Sequence, residues 1–301
     1  MKEKVLISGG TGLVGTRLTD LLIQKGYEVA HLSRSSSNSS GVKTIVWDVN
    51  KMELNHKSIE DYQYIVQLAG AGIVDEPWTE ERKKVIIDSR VKSTELLHQA
   101  INKNKNKPKA FVSASAIGYY GIETSEHIYL ESDEPGNDFL AETCKLWEKS
   151  IDQLDELKIP VSRIRIGLVL SDLGGALKEI AKPVKMGFGA ALGSGKQYMP
   201  WIHIDDLCNI FIHAMENKKG ETYNGVAPNQ MGNKAFTKVV AKVLNKPFFL
   251  PNVPEFVLKI MLGSRSLLVL EGSRISAQKV MKSGFKFQFE DLESALRDLY
   301  S

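Results

Sequence analysis

The chain has 301 residues, with 39 Lys and Arg against 36 Asp and Glu, a formal net charge of +3, 43% hydrophobic and 25% charged residues. These proportions are those of a globular chain and exclude a largely disordered one. So small a cationic excess also excludes the concentrated basic face of a nucleic-acid-binding domain. At about 150 residues per domain the length predicts two domains, or one large domain with an appended lobe. No apolar run reaches the roughly 18 residues a membrane helix needs, and the amino terminus meets glycine before a signal-peptide core can form. Cys144 and Cys208 can build neither a disulfide framework nor a zinc pattern. The expectation is a reduced, cytoplasmic protein with no metal, no nucleic-acid partner and no membrane partner.

Val5-Leu6-Ile7-Ser8 is a short apolar run that ends directly in Gly9-Gly10-Thr11-Gly12-Leu13-Val14-Gly15. A helical pattern follows, with Val14, Leu18, Leu21 and Leu22 on one face and Gly26 at its carboxyl end. Residues 27–33 read as a second strand. Strand, glycine turn, helix and strand form the βαβ unit that seats a dinucleotide pyrophosphate on a helix N-terminus. The spacing is Gly9-x-x-Gly12-x-x-Gly15 and not the G-x-G-x-x-G fingerprint. The physical requirements are similar: one glycine turns the chain, one admits the phosphate and one lets helix pack on strand.

The end of the second strand selects the cofactor. An acidic residue there would bond a ribose 2′-hydroxyl and repel a 2′-phosphate. This chain instead has Ser33-Arg34-Ser35, with no Asp or Glu before Asp48. A guanidinium between hydroxyls suits a phosphate, so the expected cofactor is NADP(H) and not NAD(H).

Strand patterns continue at 43–47, 64–68, 110–115 and 161–170, and helix patterns at 80–100 and 138–157. This alternation predicts an α/β fold, a doubly wound parallel Rossmann-type sheet with helices on both faces. The basic stretch at 102–109 reads as a solvated loop and the serine-rich stretch at 35–40 as a flexible one. After Ser171 glycines crowd together at 174–175, 187, 189, 193 and 195, in a pattern of loops that approach a ligand or turn sharply. Trp201 to Leu207 leads into a helix ending near Met215, and residues 222–225 resemble a last strand. The predicted division is a cofactor domain over 1–170, to which 204–226 return, and a smaller substrate lobe over 171–301.

Several motifs together resemble the extended short-chain dehydrogenase/reductases, in particular the atypical YfcH-like branch of epimerase-family proteins. They are the glycine segment at 9–15, Leu68-Ala69-Gly70, Trp78-Thr79-Glu80-Glu81-Arg82-Lys83 and Asp88-Ser89-Arg90. Ser113-Ala114-Ser115-Ala116-Ile117-Gly118-Tyr119-Tyr120-Gly121, Trp147-Glu148, Trp201 to Asp206 and the tail from Asn233 add to them. The resemblance covers almost the whole chain. It implies that Gly9, Thr11, Gly12, Leu13 and Val14 wrap the pyrophosphate, that Arg34 meets the 2′-phosphate, and that Asp48 lies near the adenine. It further implies that Leu68, Ala69 and Gly70 line the adenosine-ribose side, that Ser113 and Ser115 stand beside the nicotinamide, and that Arg165 and Gly167 belong to a strand-end loop covering it. Extended members often dimerise through a two-helix face, here the helices at 80–100 and 138–157, which gives a homodimer as an expectation.

The wider family works with a Ser or Thr, a Tyr and a Lys, the last two four apart on one helix face. A neighbouring ammonium lowers the phenol's pKa toward neutrality. Counting back from Glu148 places Cys144 where the lysine belongs and Leu140 where the tyrosine belongs. The pair is missing. Tyr119, Tyr120 and Lys145 are the candidate replacements beside Ser115. His203 is a weaker proton donor because Asp205 reads as an N-cap, and Cys144 has no adjacent base. The resulting expectation is an NADP(H)-dependent oxidoreductase or epimerase (an isomerase) acting on a small polar substrate, a nucleotide sugar or a carbonyl compound. The alternative is an NADP-binding sensor or scaffold without turnover.

Overall fold

The computed structural model describes residues 2–35 and 41–301. The serine-rich stretch at 36–40 lies outside them. Strands β1 (Lys4–Ser8), β2 (Glu28–Ser33), β3 (Lys43–Asp48), β4 (Glu53–Leu54), β5 (Tyr64–Gln67) and β6 (Ala110–Ala116) belong to one eight-stranded sheet. β7 (Ile128–Tyr129) lies apart, and β8 (Val161–Ile166) rejoins the sheet. β9 (Leu168–Leu170), β10 (Tyr198–Met199) and β11 (Trp201–His203) again lie apart, and β12 (Thr222–Gly225) forms the sheet's outer edge. The order is β12-β8-β6-β5-β1-β2-β3-β4, parallel throughout except at β3–β4. Val5 of β1 faces Val29 on one side and Tyr64 on the other, so the strand order reverses at β1. Such a reversal opens a crevice at the strands' carboxyl ends where ligands bind.

Because both faces of the sheet are covered, its strands are apolar without alternation: Val5, Leu6, Ile7, Phe111 and Val112 are wholly buried. Helices α1 (Leu13–Gln24), α2 (Glu80–Lys103) and α3 (Phe139–Asp152) follow their strands, and α4 (Gly175–Lys185) and α5 (Ile204–Asn217) come later. α1 packs on α5 and α2 packs on α3, giving the two helical layers. Thr79 starts α2 by accepting the Arg82 N–H, with Glu80 and Glu81 in its first turn, and Asp138 starts α3 by accepting the N–H groups of Leu140 and Ala141.

The apolar pattern at 161–170 predicts one strand, and the structure contains two. A Cβ at Gly167 would stand 2.3 Å from the Pro200 carbonyl oxygen. The chain leaves the sheet there, and Leu168 donates to Pro200 O at 2.8 Å as β9 pairs with β11. Helical structure over 138–157 also ends early as α, at Asp152, and finishes as a 3-10 turn over Gln153–Leu157.

A second apolar cluster joins Leu170, Leu177, Val184, Trp201, Phe236, Val240 and Leu296. It is built by β9, α4, β11, α6 (Asn233–Val243) and, beyond β13 (Met231–Gly232), α7 (Glu255–Leu262), α8 (Leu267–Leu270), β14 (Arg274–Ile275) and α9 (Gln278–Lys282), by α10 (Leu292–Leu299). Gly193 and Gly195 of the glycine-crowded stretch lie against Leu270, Glu255, Lys234 and Ala191. Among the described residues no helix is long and apolar enough to cross a membrane.

Candidate functional site

The turn after β1 explains its glycines one by one. Gly9 has φ +73°, and a Cβ there would come within 2.9 Å of the Ala69 amide at the end of β5. A Cβ at Gly15 would stand 2.2 Å from Gly9 O, so helix and turn touch backbone to backbone. A Cβ at Gly10 would enter the ring of buried His31, 2.3 Å from Cδ2. Thr19 gives its hydroxyl proton to Gly15 O at 2.7 Å, so the His31 Nε2 2.8 Å away must donate to it. Burial lowers the His31 pKa and keeps the ring neutral.

Gly12 stands at the N-cap of α1 with no side-chain cap, and the helix has no acidic residue in its first turn. Its first amides therefore face the crevice with the positive end of the helix dipole. Thr11 and Gly12 are exposed, and Leu13 and Val14 are half-buried behind them.

Around this turn the expected cofactor residues fall at strand ends. Ser33 closes β2, and exposed Arg34 and Ser35 follow it directly. Asp48 closes β3, where its Oδ1 accepts the amides of Asn50 (2.9 Å) and Lys51 (3.0 Å). Leu68, Ala69 and Gly70 leave β5 beside Gly9. Ser113 is wholly buried within β6 and bonds Ala114 O, so its hydroxyl is engaged inside the sheet.

The carboxyl ends of β6 and β8 carry a buried polar network that sequence reading missed. Glu148 of α3 accepts the Ser115 hydroxyl at 2.6 Å and the Arg165 Nε at 2.9 Å on Oε1, and Arg165 Nη2 at 2.8 Å on Oε2. Arg165 Nη1 donates to the Tyr120 hydroxyl at 3.0 Å, which donates to Asn224 Oδ1 at 2.7 Å. Burial opposes the Arg165 charge, but Glu148 holds its pKa above the usual value. Arg165, expected in a loop over the cofactor, is thus an inward-facing residue of β8, 4% exposed. The usable sequence signal was a lone glutamate on the buried face of α3 with an arginine on a central strand, each demanding a partner.

The other expected proton carriers also have settled partners. Tyr120 is 3% exposed, and burial pushes its phenol up to about 12. Tyr119 lies with its ring 3.4 Å from the Arg165 Cζ, and burial raises its phenol as well. Lys145 is on the outer side of α3 and pairs with Glu142 at 2.9 Å. Leu140 and Cys144 do share one buried face, beside Gly118. Burial pushes the Cys144 thiol up to about 12, which leaves it inert at neutral pH. His203, not Asp205, is the N-cap of α5: its Nδ1 accepts the Asp205 amide at 3.1 Å, and Asp205 is engaged with Arg17 at 2.6 and 2.7 Å. Among the described residues no group of three His, Cys, Asp or Glu could hold a metal ion.

Residues 5–141 match the model of the NAD dependent epimerase/dehydratase family, and residues 253–299 match a domain of unknown function, DUF1731. The chain is 34% identical over 298 residues to epimerase family protein YfhF of Bacillus subtilis, covering 98% of this chain and 97% of that one. It is 35% identical over 303 residues to human epimerase family protein SDR39U1, covering 98% and 99%. The chain belongs to the NAD dependent epimerase/dehydratase family.

Within the family, the crystal structure of human SDR39U1 with NADPH superposes with a TM-score of 0.86 at 30% identity, covering 98% of both chains. The chain's α/β architecture, with its large, mostly parallel sheet, is the Rossmann-like fold of that structure.

Proposed function

We propose that the protein binds NADP(H) across the β1–β5 crevice and uses its reduced or oxidised form to reduce, oxidise or epimerise a small polar substrate, a nucleotide sugar or a carbonyl compound. The observation that carries the reading is the uncapped N-terminus of α1, reached through a turn at which Gly9, Gly10 and Gly15 leave no room for a side chain. That cradle fits a pyrophosphate. Arg34, exposed after β2 with hydroxyls on both sides, favours a 2′-phosphate. The relative crystallised with NADPH supports the same choice. Residues 1–170 with α5 and β12 hold the cofactor in this reading, the rest of 171–301 takes the substrate, and the joined α2 and α3 form a homodimer face.

When bound, NADPH would supply the hydride for a reduction, and NADP⁺ would accept the substrate's hydride in an oxidation. The chain's own part is proton transfer, which we assign to Ser115 and not to Tyr119, Tyr120 or Lys145. As a substrate hydroxyl gives its proton to Ser115 Oγ, the Ser115 proton passes to Glu148 Oε1, with Arg165 steadying the carboxylate. Reduction runs the same transfer in reverse.

Calorimetric titration with NADPH and NADH, beside Arg34→Ala, tests the reading. NADPH should bind at least tenfold more tightly, about 1.4 kcal/mol, and the variant should lose the preference. Binding of neither nucleotide would overturn it. The burial of Leu140 and Cys144 where the wider family has Tyr and Lys favours a second reading, a sensor that binds NADPH without turnover. Tight NADPH binding with no turnover on any carbonyl or nucleotide-sugar substrate would select that one.

A further inference from the structure

The substrate lobe turns a group of large apolar side chains outward. Met186, Phe188, Phe249, Phe256, Ile260 and Met261 are each between 61% and 80% exposed. In α7 Leu258 is the one fully buried residue, and Phe256 and Ile260 stand one turn apart on the outward face.

These side chains sit on neighbouring segments. A Cβ at Gly189 would stand 3.5 Å from Pro247 O and 3.6 Å from Phe248 Cδ2. Gly193 donates to Val253 O at 2.9 Å, and Val253 donates to Ala191 O at 2.8 Å. The loop at 186–193 therefore runs along 247–253, which leads directly into α7. Single exposed apolar residues are ordinary, but a group of this size marks a surface that something covers.

The charge around it is one-sided. Residues 185–196 and 246–265 carry Lys185, Lys196, Lys246, Lys259 and Arg265 against a single acid, Glu255. That excess of four stands against a net charge of +3 for the whole chain, so the other residues are close to neutral on balance. Lys185, Lys196 and Lys246 are exposed, and among the described residues none of them pairs with a carboxylate. Lys259 pairs with Glu255 at 3.4 Å.

A second copy of the chain would set like-charged rims against each other across a two-fold axis. Protein interfaces favour arginine and are depleted in lysine, and four of these five cations are lysines. Apolar tips ringed by lysine instead match the boundary between headgroups and acyl chains in a bilayer with anionic lipid.

We propose that this face docks on an anionic membrane surface, setting Phe188, Phe249, Phe256 and Ile260 into the headgroup boundary with the lysines at the level of the phosphates. Such a face lies on a bilayer and needs no spanning helix. The lack of a spanning run excludes insertion across a membrane and leaves this mode untouched. Docking of this kind does not depend on the dinucleotide reading.

The full chain is sedimented with vesicles of phosphatidylcholine alone, and with vesicles of phosphatidylcholine and phosphatidylglycerol in equal parts. Binding to the anionic vesicles should be at least tenfold stronger. It should weaken as salt rises from about 0.1 to about 1 M, which shortens the screening length from about 10 to about 3 Å. Phe256→Ser with Ile260→Ser, and separately Lys196→Glu with Lys246→Glu, should each lower binding at least tenfold. Both double variants should keep the wild-type melting temperature, because all four side chains are exposed. Phe256→Trp should shift its emission to the blue on the anionic vesicles alone. Binding to neither vesicle, equal binding to both, or full binding by either double variant would overturn the proposal. Self-association without lipid that Phe256→Ser with Ile260→Ser abolishes would give the face to a second copy and overturn it as well.

Discussion

Glu148 on α3 and Arg165 on β8 form a bidentate pair, Nε to Oε1 at 2.9 Å and Nη2 to Oε2 at 2.8 Å, with side chains 11% and 5% exposed. The pair locks the helix behind β6 to the strand beside it, and Ser115 and Tyr120 hang from its two ends. Removing one partner leaves the other charged, buried and alone. Glu148→Ala should cost about 3–5 kcal/mol in urea unfolding. Replacing both residues together, as Glu148→Leu with Arg165→Met, should cost clearly less than the sum of the single changes. Additive losses would mean that the two groups act independently.

The contact of Gly15 with Gly9 has a sharper signature. A methyl group there would meet the Gly9 carbonyl oxygen at 2.2 Å, which is backbone and cannot swing aside. Gly15→Ala should destabilise the chain by about 1–3 kcal/mol and abolish nucleotide binding, because the turn and α1 must move apart. Unchanged NADPH affinity in calorimetry would show that the turn tolerates a different course.

Cys144 and Cys208 are both buried, 4% and 0% exposed, and burial raises both thiols far above neutrality. The native protein should show almost no reaction with a disulfide reagent over minutes at pH 7.5, and two equivalents once unfolded. Rapid release of one equivalent from native protein would revive Cys144 as a reactive group.

Asp206 begins α5 wholly buried, and its carboxylate accepts the amides of Gln288 and Phe289 at 2.8 and 2.9 Å, tying the tail to the sheet domain. Burial pushes its carboxyl up to about 6, against the pull of those two amides. A folded value above the unfolded one favours folding when protonated. The contribution is therefore full below about pH 4 and fades as pH rises through about 6. Measured against Asp206→Asn, which does not titrate, wild type should lose up to about 3 kcal/mol of relative stability between pH 4 and pH 7.5. Parallel stability curves would show an unshifted carboxyl.

Local pattern was enough for much of this molecule. The run Val5 to Ser8 followed by Gly9, Gly12 and Gly15 marks the first βαβ unit, because strand and helix periods and the demands of a tight turn are local properties. Thr222 to Gly225 reads as a strand and is one. The absence of tyrosine and lysine at 140 and 144 is visible by counting along α3. At Gly167 the same reasoning fails. Its neighbours are as apolar as any strand interior, and the break comes from Pro200, which approaches from distant sequence.

The amino-acid sequence by itself determined the Rossmann-type α/β class, the glycine turn after β1 and the run Ser33-Arg34-Ser35 at the end of β2, since each depends on spacing within one or two elements, and set beside the family's pattern it showed Leu140 and Cys144 in place of the Tyr-Lys pair. Only the tertiary structure decided that the Ser115 hydroxyl donates a hydrogen bond to Glu148, that Arg165 points inward to the same carboxylate, and that Tyr120 is engaged with Asn224. These are contacts between residues brought together by the sheet, and a buried polar group takes whichever partner the fold places within hydrogen-bond reach.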